Sequence, residues 1–179
     1  ERFRSKVPDG VFGDAYLPSV TDGSGWSRAN LRRATALLQE AGWVVKDLKL
    51  VNGTSGEPFR FEILLVSPAF ERVVLPYIRN LKRLGIETKI RLVDESQYIN
   101  RFRQFDFDMI VWVWGQSETP GNEQQEYWSQ QAAKTQGSRN LAGIADPVVD
   151  ELIELILQSE SRQQLNQRPR ALDRVLLWG

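Results

Sequence analysis

Asp106 and Asp108 are the side chains whose type and spacing most invite a chemical reading. Paired carboxylates can serve a glycosidase or hold a hard divalent cation. Alternation along a strand places both on one side. They stand at the start of an apolar run, however, opposite the carboxyl end where open α/β sheets hold ligands, so a structural role is expected. No other reacting constellation is present. The 179 residues include neither Cys nor His, which removes thiol nucleophiles, thiolate ligands, disulfides, the commonest general base and the commonest transition-metal ligand. There is no phosphate loop with its lysine, no serine nucleophile elbow and no calcium-loop spacing. We therefore expect no catalytic residue, no metal ligand set and no cofactor.

Binding chemistry is better represented. Six Trp occur, and Trp supplies large, stiff contact area at binding surfaces as well as filling cores. Trp26, Trp43 and Trp178 read as packing residues. Trp112 and Trp114 share one face of a single strand, and Trp114 ends it beside the polar loop WGQSETPGNE; Trp114 is expected to meet a ligand and Trp112 to pack. Gly115 to Gly143 is rich in Gln, Ser, Asn and Gly, with Tyr127 and Trp128 embedded. It is too long for a routine connection, so a functional loop or short helices are expected.

These side chains need a scaffold, and the chain is long enough for one domain or two small ones. Lys+Arg and Asp+Glu both number 23, so no net field draws the chain to nucleic acid or an anionic membrane. No apolar run approaches the roughly 18 residues of a membrane span. The first 27 residues are dense in Pro and Gly and read as an extended lead-in over 1–26, followed by an α/β unit over 27–179. Ser27 is placed to cap a helix with apolar positions Leu31, Ala34, Leu38 and Ala41, leaving Arg28, Arg32 and Arg33 on a solvated face. Phe59 to Val66 reads as a strand entering a covered sheet. A helix over Phe70 to Leu84 buries Phe70, Val74, Tyr77, Ile78 and Leu81, with Pro76 kinking it or delaying its start. Ile86 to Leu92 alternates with Glu87, Lys89 and Arg91, as a strand with one polar face or at an edge position would. Asp94 and Gln97 open a short helix, and Phe107 to Trp114 reads as an interior strand covered on both faces. Asp146 and Pro147 start another helix, and a final helical pattern over Ser161 to Trp178 is divided by Pro169. Strand, helix, strand, helix, strand favours an α/β sheet.

RANLRRATALLQEAGW, then FRFEILLVSPAFERVVLPYIRNLKRLGIETKIRLVDESQYINRFRQFDFDMIVWVWG, then NLAGIADPVVDELI, together resemble the extracellular solute-binding proteins of the dipeptide, oligopeptide and nickel family. The loop QSETPGNEQQEYW and the opening RFRSKVPDG look most like the Yej-type branch. The resemblance implies a periplasmic receptor of type II-like fold, with a mixed sheet flanked by helices. It binds oligopeptides or peptide-like compounds and delivers them to the permease subunits of an ABC importer in the inner membrane. The chain would be most of the C-terminal lobe, cut at both ends, its partner lobe lying elsewhere in the parent. In many relatives an Asp just after the WG strand end binds the ligand's α-amino group; here that place reads Gln116-Ser117-Glu118. The resemblance thus assigns Trp114 to wall the ligand, the Gly115 to Ser117 backbone to hydrogen-bond it and Glu118 to meet a cation. Asn122, Tyr127 and Trp128 are secondary candidates. Two other classes fit the residues: an enzyme domain whose catalytic groups lie outside this chain, and a protein-interaction domain docking through the aromatic loop.

Overall fold

The computed structural model describes residues 2–178. Its segments group into two units, one of Ser19–Arg101 with Asp106–Trp112, the other of Glu1–Pro18, Phe102–Phe105 and Val113–Gly179.

In the first unit, α1 (Arg28–Glu40) starts where extended Ser27 accepts a hydrogen bond from the Asn30 N–H at 3.3 Å. Arg28, Arg32 and Arg33 are exposed, as a solvated face requires. A hairpin that the sequence reading did not foresee follows, β1 (Trp43–Lys46) antiparallel to β2 (Lys49–Asn52). Its turn residues Asp47 and Leu48 both have positive φ, 49° and 63°. That conformation suits the right-handed strand twist but normally selects Asn and Gly, so Asp-Leu carries no turn signal.

The parallel sheet comprises β3 (Arg60–Leu65), β4 (Glu87–Leu92) and β5 (Met109–Ile110), in the order β4-β3-β5. Ile63 lies in register with Ile90 on one side and Met109 on the other. The apolar strand expected over Phe107 to Trp114 is therefore two paired residues at the sheet edge, not an interior strand. The reason is pairing: β3 is central, and β5 has no outer neighbour among the described residues. Val113 is 82% exposed and Met109 37%. β4 holds the other edge, one of the two positions its alternation allows.

α2 (Glu71–Arg83) runs without interruption through Pro76, after a short 3-10 turn at Pro68–Phe70. Its inward face is narrower than the apolar pattern suggests. Val74 and Leu81 are buried and Ile78 packs against the cluster of Val74, but Phe70 and Tyr77 are 43% and 45% exposed. Gly85 ends the turn after α2 at φ 82°, where an added Cβ would stand 2.7 Å from the Leu50 nitrogen, so the glycine is needed for both conformation and close approach. α3 (Glu95–Gln104) follows Asp94, whose carboxylate accepts from the backbone N–H and side-chain amide of Gln97 at 2.9 and 2.8 Å. Those bonds hold the Asp94 carboxyl below its ordinary pKa. Asp106 and Asp108 are engaged structurally. Asp106 pairs with Arg101 at 2.6 Å, and Asp108 accepts from the Glu62 N–H at 2.9 Å, joining the start of β5 to β3.

The second unit is helical: α4 (Glu123–Trp128), α5 (Gln130–Ala133), α6 (Pro147–Leu157) and α7 (Arg162–Trp178). Asp146 caps α6 by accepting from the Val148 N–H at 2.7 Å, with Pro147 in the first turn. Pro169 lies inside α7 and does not divide it. Val148, Val149, Leu152, Ile153 and Ile156 of α6 meet Leu172 and Val175 of α7 and Val11 of the 3-10 turn Asp9–Phe12. Each such buried side chain stabilises the fold by about 1.5–3 kcal/mol. Arg174 fastens the 11–14 segment to α7, donating to the carbonyls of Val11, Gly13 and Asp14 at 2.6, 2.6 and 3.0 Å.

Candidate functional site

All eight candidate residues belong to the helical unit. The chain leaves the β5 region through Val113, and half-buried Trp114 is the first side chain it fixes there. The Trp114 indole N–H donates to the Arg139 carbonyl at 2.9 Å. Its ring lies 5.2 Å from the Trp128 ring, tilted by 35°. Trp114 and Trp128 thus form one aromatic surface, although 14 positions separate them in the sequence.

Gly115, Gln116, Ser117 and Glu118 are all exposed. Three fastenings hold the loop they form. Tyr127, 3% exposed, donates its hydroxyl to the Gly115 carbonyl at 2.9 Å. Gln124, 5% exposed, donates to the Gln116 side-chain oxygen at 2.7 Å while accepting from the Trp128 indole at 3.2 Å. Ser117 closes a local turn, its Oγ donating to the Thr119 carbonyl at 2.6 Å and accepting from the Thr119 N–H at 3.3 Å. Among the described residues, the backbone N–H groups of residues 115–118 make no hydrogen bond, and the Glu118 carboxylate has no partner. Four unengaged N–H donors and one unpaired carboxylate therefore lie on the exposed residues that follow Trp114 in the chain.

The secondary candidates divide. Trp128 completes the aromatic surface. Tyr127 lies beneath the loop as its support, and exposed Asn122 precedes α4 without a side-chain capping bond. At the start of α4 the Glu123 carboxylate accepts from the Gly121 N–H at 3.0 Å and from Gln124 at 3.3 Å. Burial opposes its charge, but these hydrogen bonds prevail and hold its carboxyl below the ordinary glutamate value.

Sequence reasoning missed the residues behind this surface. Asn140 is only 1% exposed, and its side chain donates to the carbonyls of Ser129 and Ile144 at 2.9 and 2.8 Å and accepts from the Ile144 N–H at 2.9 Å. Ser138, 7% exposed, donates to the Ala132 carbonyl at 2.6 Å. No local pattern distinguishes them from loop residues, since their partners are backbone groups brought together by folding. A separate cleft of about 400 Å³ lies among α4, α5 and α6, lined by Gln125, Ser129, Ser138, Asp150 and Glu154 among others; none of residues 114–118 borders it. Among the described residues no group of three or more carboxylates is arranged to hold a metal ion.

Comparison with known proteins gives this geometry its context. The profile described as bacterial extracellular solute-binding proteins, family 5 Middle, matches residues 5–136. A Sinorhizobium fredii protein, y4wM, described as uncharacterised, is 53% identical over 96% of this chain and 26% of its own length. The Agrobacterium fabrum protein YejA, described as a probable peptide-binding protein, is 43% identical over 99% of this chain and 29% of its own. Among solved structures, the oligopeptide-binding protein AppA of Bacillus subtilis, in complex with a nonapeptide, superimposes with a TM-score of 0.72 at 21% identity. That match covers 91% of this chain and 34% of AppA, and it establishes the fold. The chain thus spans little more than a quarter of the length of the curated relatives named here.

Proposed function

This chain belongs to the family 5 bacterial extracellular solute-binding proteins, and we propose that it serves as part of a periplasmic receptor that binds oligopeptides or peptide-like compounds for an ABC importer. The observation that carries this reading is the row of unengaged N–H groups over residues 115–118, which follow Trp114 of the Trp114–Trp128 surface in the chain. A peptide presents the complementary groups whatever its sequence: main-chain carbonyls for the N–H row and side chains for an aromatic wall. Trp114 walls the ligand, the Gly115 to Ser117 backbone donates to it, and Glu118 meets its ammonium end. The relative named for probable peptide binding and the neighbour holding a nonapeptide support the same ligand class.

In this reading residues 27–179 are most of the C-terminal lobe, and 1–26 lead into it. The opposing lobe supplies the remaining contacts and the permease receives the ligand. The protein is a binder and not an enzyme, consistent with Asp106 and Asp108 being held by Arg101 and the Glu62 N–H. One lobe alone binds weakly, because the contacts made on closure are absent.

The test is a thermal-shift titration of the protein at the full length of its relatives against an equimolar pool of di- to decapeptides. A saturable rise in melting temperature is expected, since a ligand that binds only the folded state stabilises it by mass action. A flat response at millimolar peptide would exclude broad peptide capture.

A further inference from the structure

We propose that Asn140 is the positioning residue of the ligand wall, one buried side chain that sets the relative placement of Trp114 and Trp128. This rests on the reading of Trp114 as a ligand contact. Asn140 reaches both tryptophans through the backbone next to each. On one side, its Nδ2 donates to the carbonyl of Ser129, the residue that follows Trp128. On the other, the carbonyl of Arg139, one residue before Asn140, accepts the Trp114 indole N–H. The remaining bonds to the N–H and carbonyl of Ile144 close the turn after Asn140, and the Ser138 hydroxyl accepts from the Asn140 N–H at 3.3 Å. With the side chain 1% exposed, water cannot replace these bonds.

The amide is chemically suited to this task. Two donors must meet two carbonyls while one acceptor meets an N–H, and Asn presents both functions on a short planar group. Aspartate would turn an acceptor toward the Ser129 and Ile144 carbonyls, and alanine would leave three partly buried backbone groups without their partner. Without this tie, α4 with Trp128 and the 138–144 turn with the Trp114 acceptor are joined more loosely, the Ser138 hydroxyl bond to the Ala132 carbonyl remaining. The ring pair then loosens, although neither ring touches the substituted side chain. Since a preorganised surface binds more tightly than one ordered on contact, ligand affinity falls with it.

The Trp114–Trp128 pair carries its own signal, because two indoles at 5.2 Å with inclined planes couple and give a paired band in ultraviolet circular dichroism. Trp114→Phe in the 179-residue chain identifies that band. Asn140→Ala is expected to abolish it while helical content persists, whereas Val175→Ala, in the α6–α7 core, lowers stability and leaves it intact. An unchanged band in Asn140→Ala, or equal loss in Val175→Ala, overturns the proposal. If Asn140→Ala does not fold, Ser138→Ala, which loosens the same turn by one hydroxyl, must weaken the band; an undiminished band overturns the proposal equally. In the protein at its relatives' length, Asn140→Ala or, failing that, Ser138→Ala is expected to raise half-saturation by the di- to decapeptide pool, by about five- to thirtyfold for the alanine variant at Asn140. A lost band with unchanged half-saturation overturns the positioning role. Absence of binding by the unsubstituted protein would instead refute peptide capture, and the dichroism arm would still decide the tie.

Discussion

Removing one oxygen from Tyr127 tests whether the candidate loop is held from beneath. Tyr127→Phe deletes the hydroxyl that donates to the Gly115 carbonyl at 2.9 Å and leaves the 3% exposed ring in place. A neutral hydrogen bond contributes a net of about 0.5–1.5 kcal/mol. Here Gly115 is exposed, so water can satisfy its carbonyl once the tyrosine oxygen is gone, and the upper end of that range does not apply. About 1 kcal/mol is expected, which for a urea dependence of about 2 kcal/mol per molar lowers the unfolding midpoint by about 0.5 M. Tyr127→Ala also removes the buried ring and its edge contact with Trp128, at 6.2 Å and 80°, and is expected to cost about 3–5 kcal/mol. Urea titrations followed by circular dichroism measure both, and an unchanged slope shows that the same surface unfolds. An unmoved midpoint in Tyr127→Phe would refute the tether. Equal losses in the two variants would refute the division between ring and hydroxyl.

Two further outcomes follow from local chemistry. Pro76 lies inside α2, where it lacks the N–H that would bond the Arg72 carbonyl, so Pro76→Ala is expected to stabilise the protein by about 1–3 kcal/mol, and a lowered urea midpoint would contradict this. Glu123 has a folded-state pKa below its ordinary value, so its stabilising contribution is fully present above the ordinary glutamate pKa and is lost as pH falls through the folded value. Glu123→Gln should therefore flatten part of the decline in melting temperature on the acid side; an identical acid profile would show that the Gly121 and Gln124 bonds do not favour the charged form.

The sequence was most legible where one residue determines a local hydrogen bond. Ser27, Asp94 and Asp146 each begin a helix because a short polar side chain can accept from an N–H two or three residues on, a requirement visible without tertiary context. The alternating order of strands and helices was legible for a similar reason, since apolar periodicity changes sharply between Phe59 and Leu92, whereas the parallel pairing of β4-β3-β5 was not, the expectation being a mixed sheet. Nor was β5. Its unbroken apolar run signals two covered faces, yet extent and centrality depend on a neighbouring strand, and none adjoins its outer side among the described residues. The β1–β2 turn was hidden because Leu48 adopts a backbone conformation that leucine rarely takes. At the candidate site, the polar stretch after Trp114 was legible as a loop, although the strand expected to end at Trp114 ends at Ile110. The pairing of Trp114 with Trp128 and the tie through Asn140 were not, because backbone carbonyls at Arg139 and Ser129 carry no residue-type signature.

A peptide receptor must hold peptide at the surface beside Trp114. Native mass spectrometry of the protein at its relatives' full length, incubated with the di- to decapeptide pool, measures this directly. One peptide per protein, drawn from many sequences, is expected, with a large drop in occupancy for Trp114→Ala combined with Glu118→Gln. No peptide adduct, or occupancy unchanged in that double variant, would contradict this.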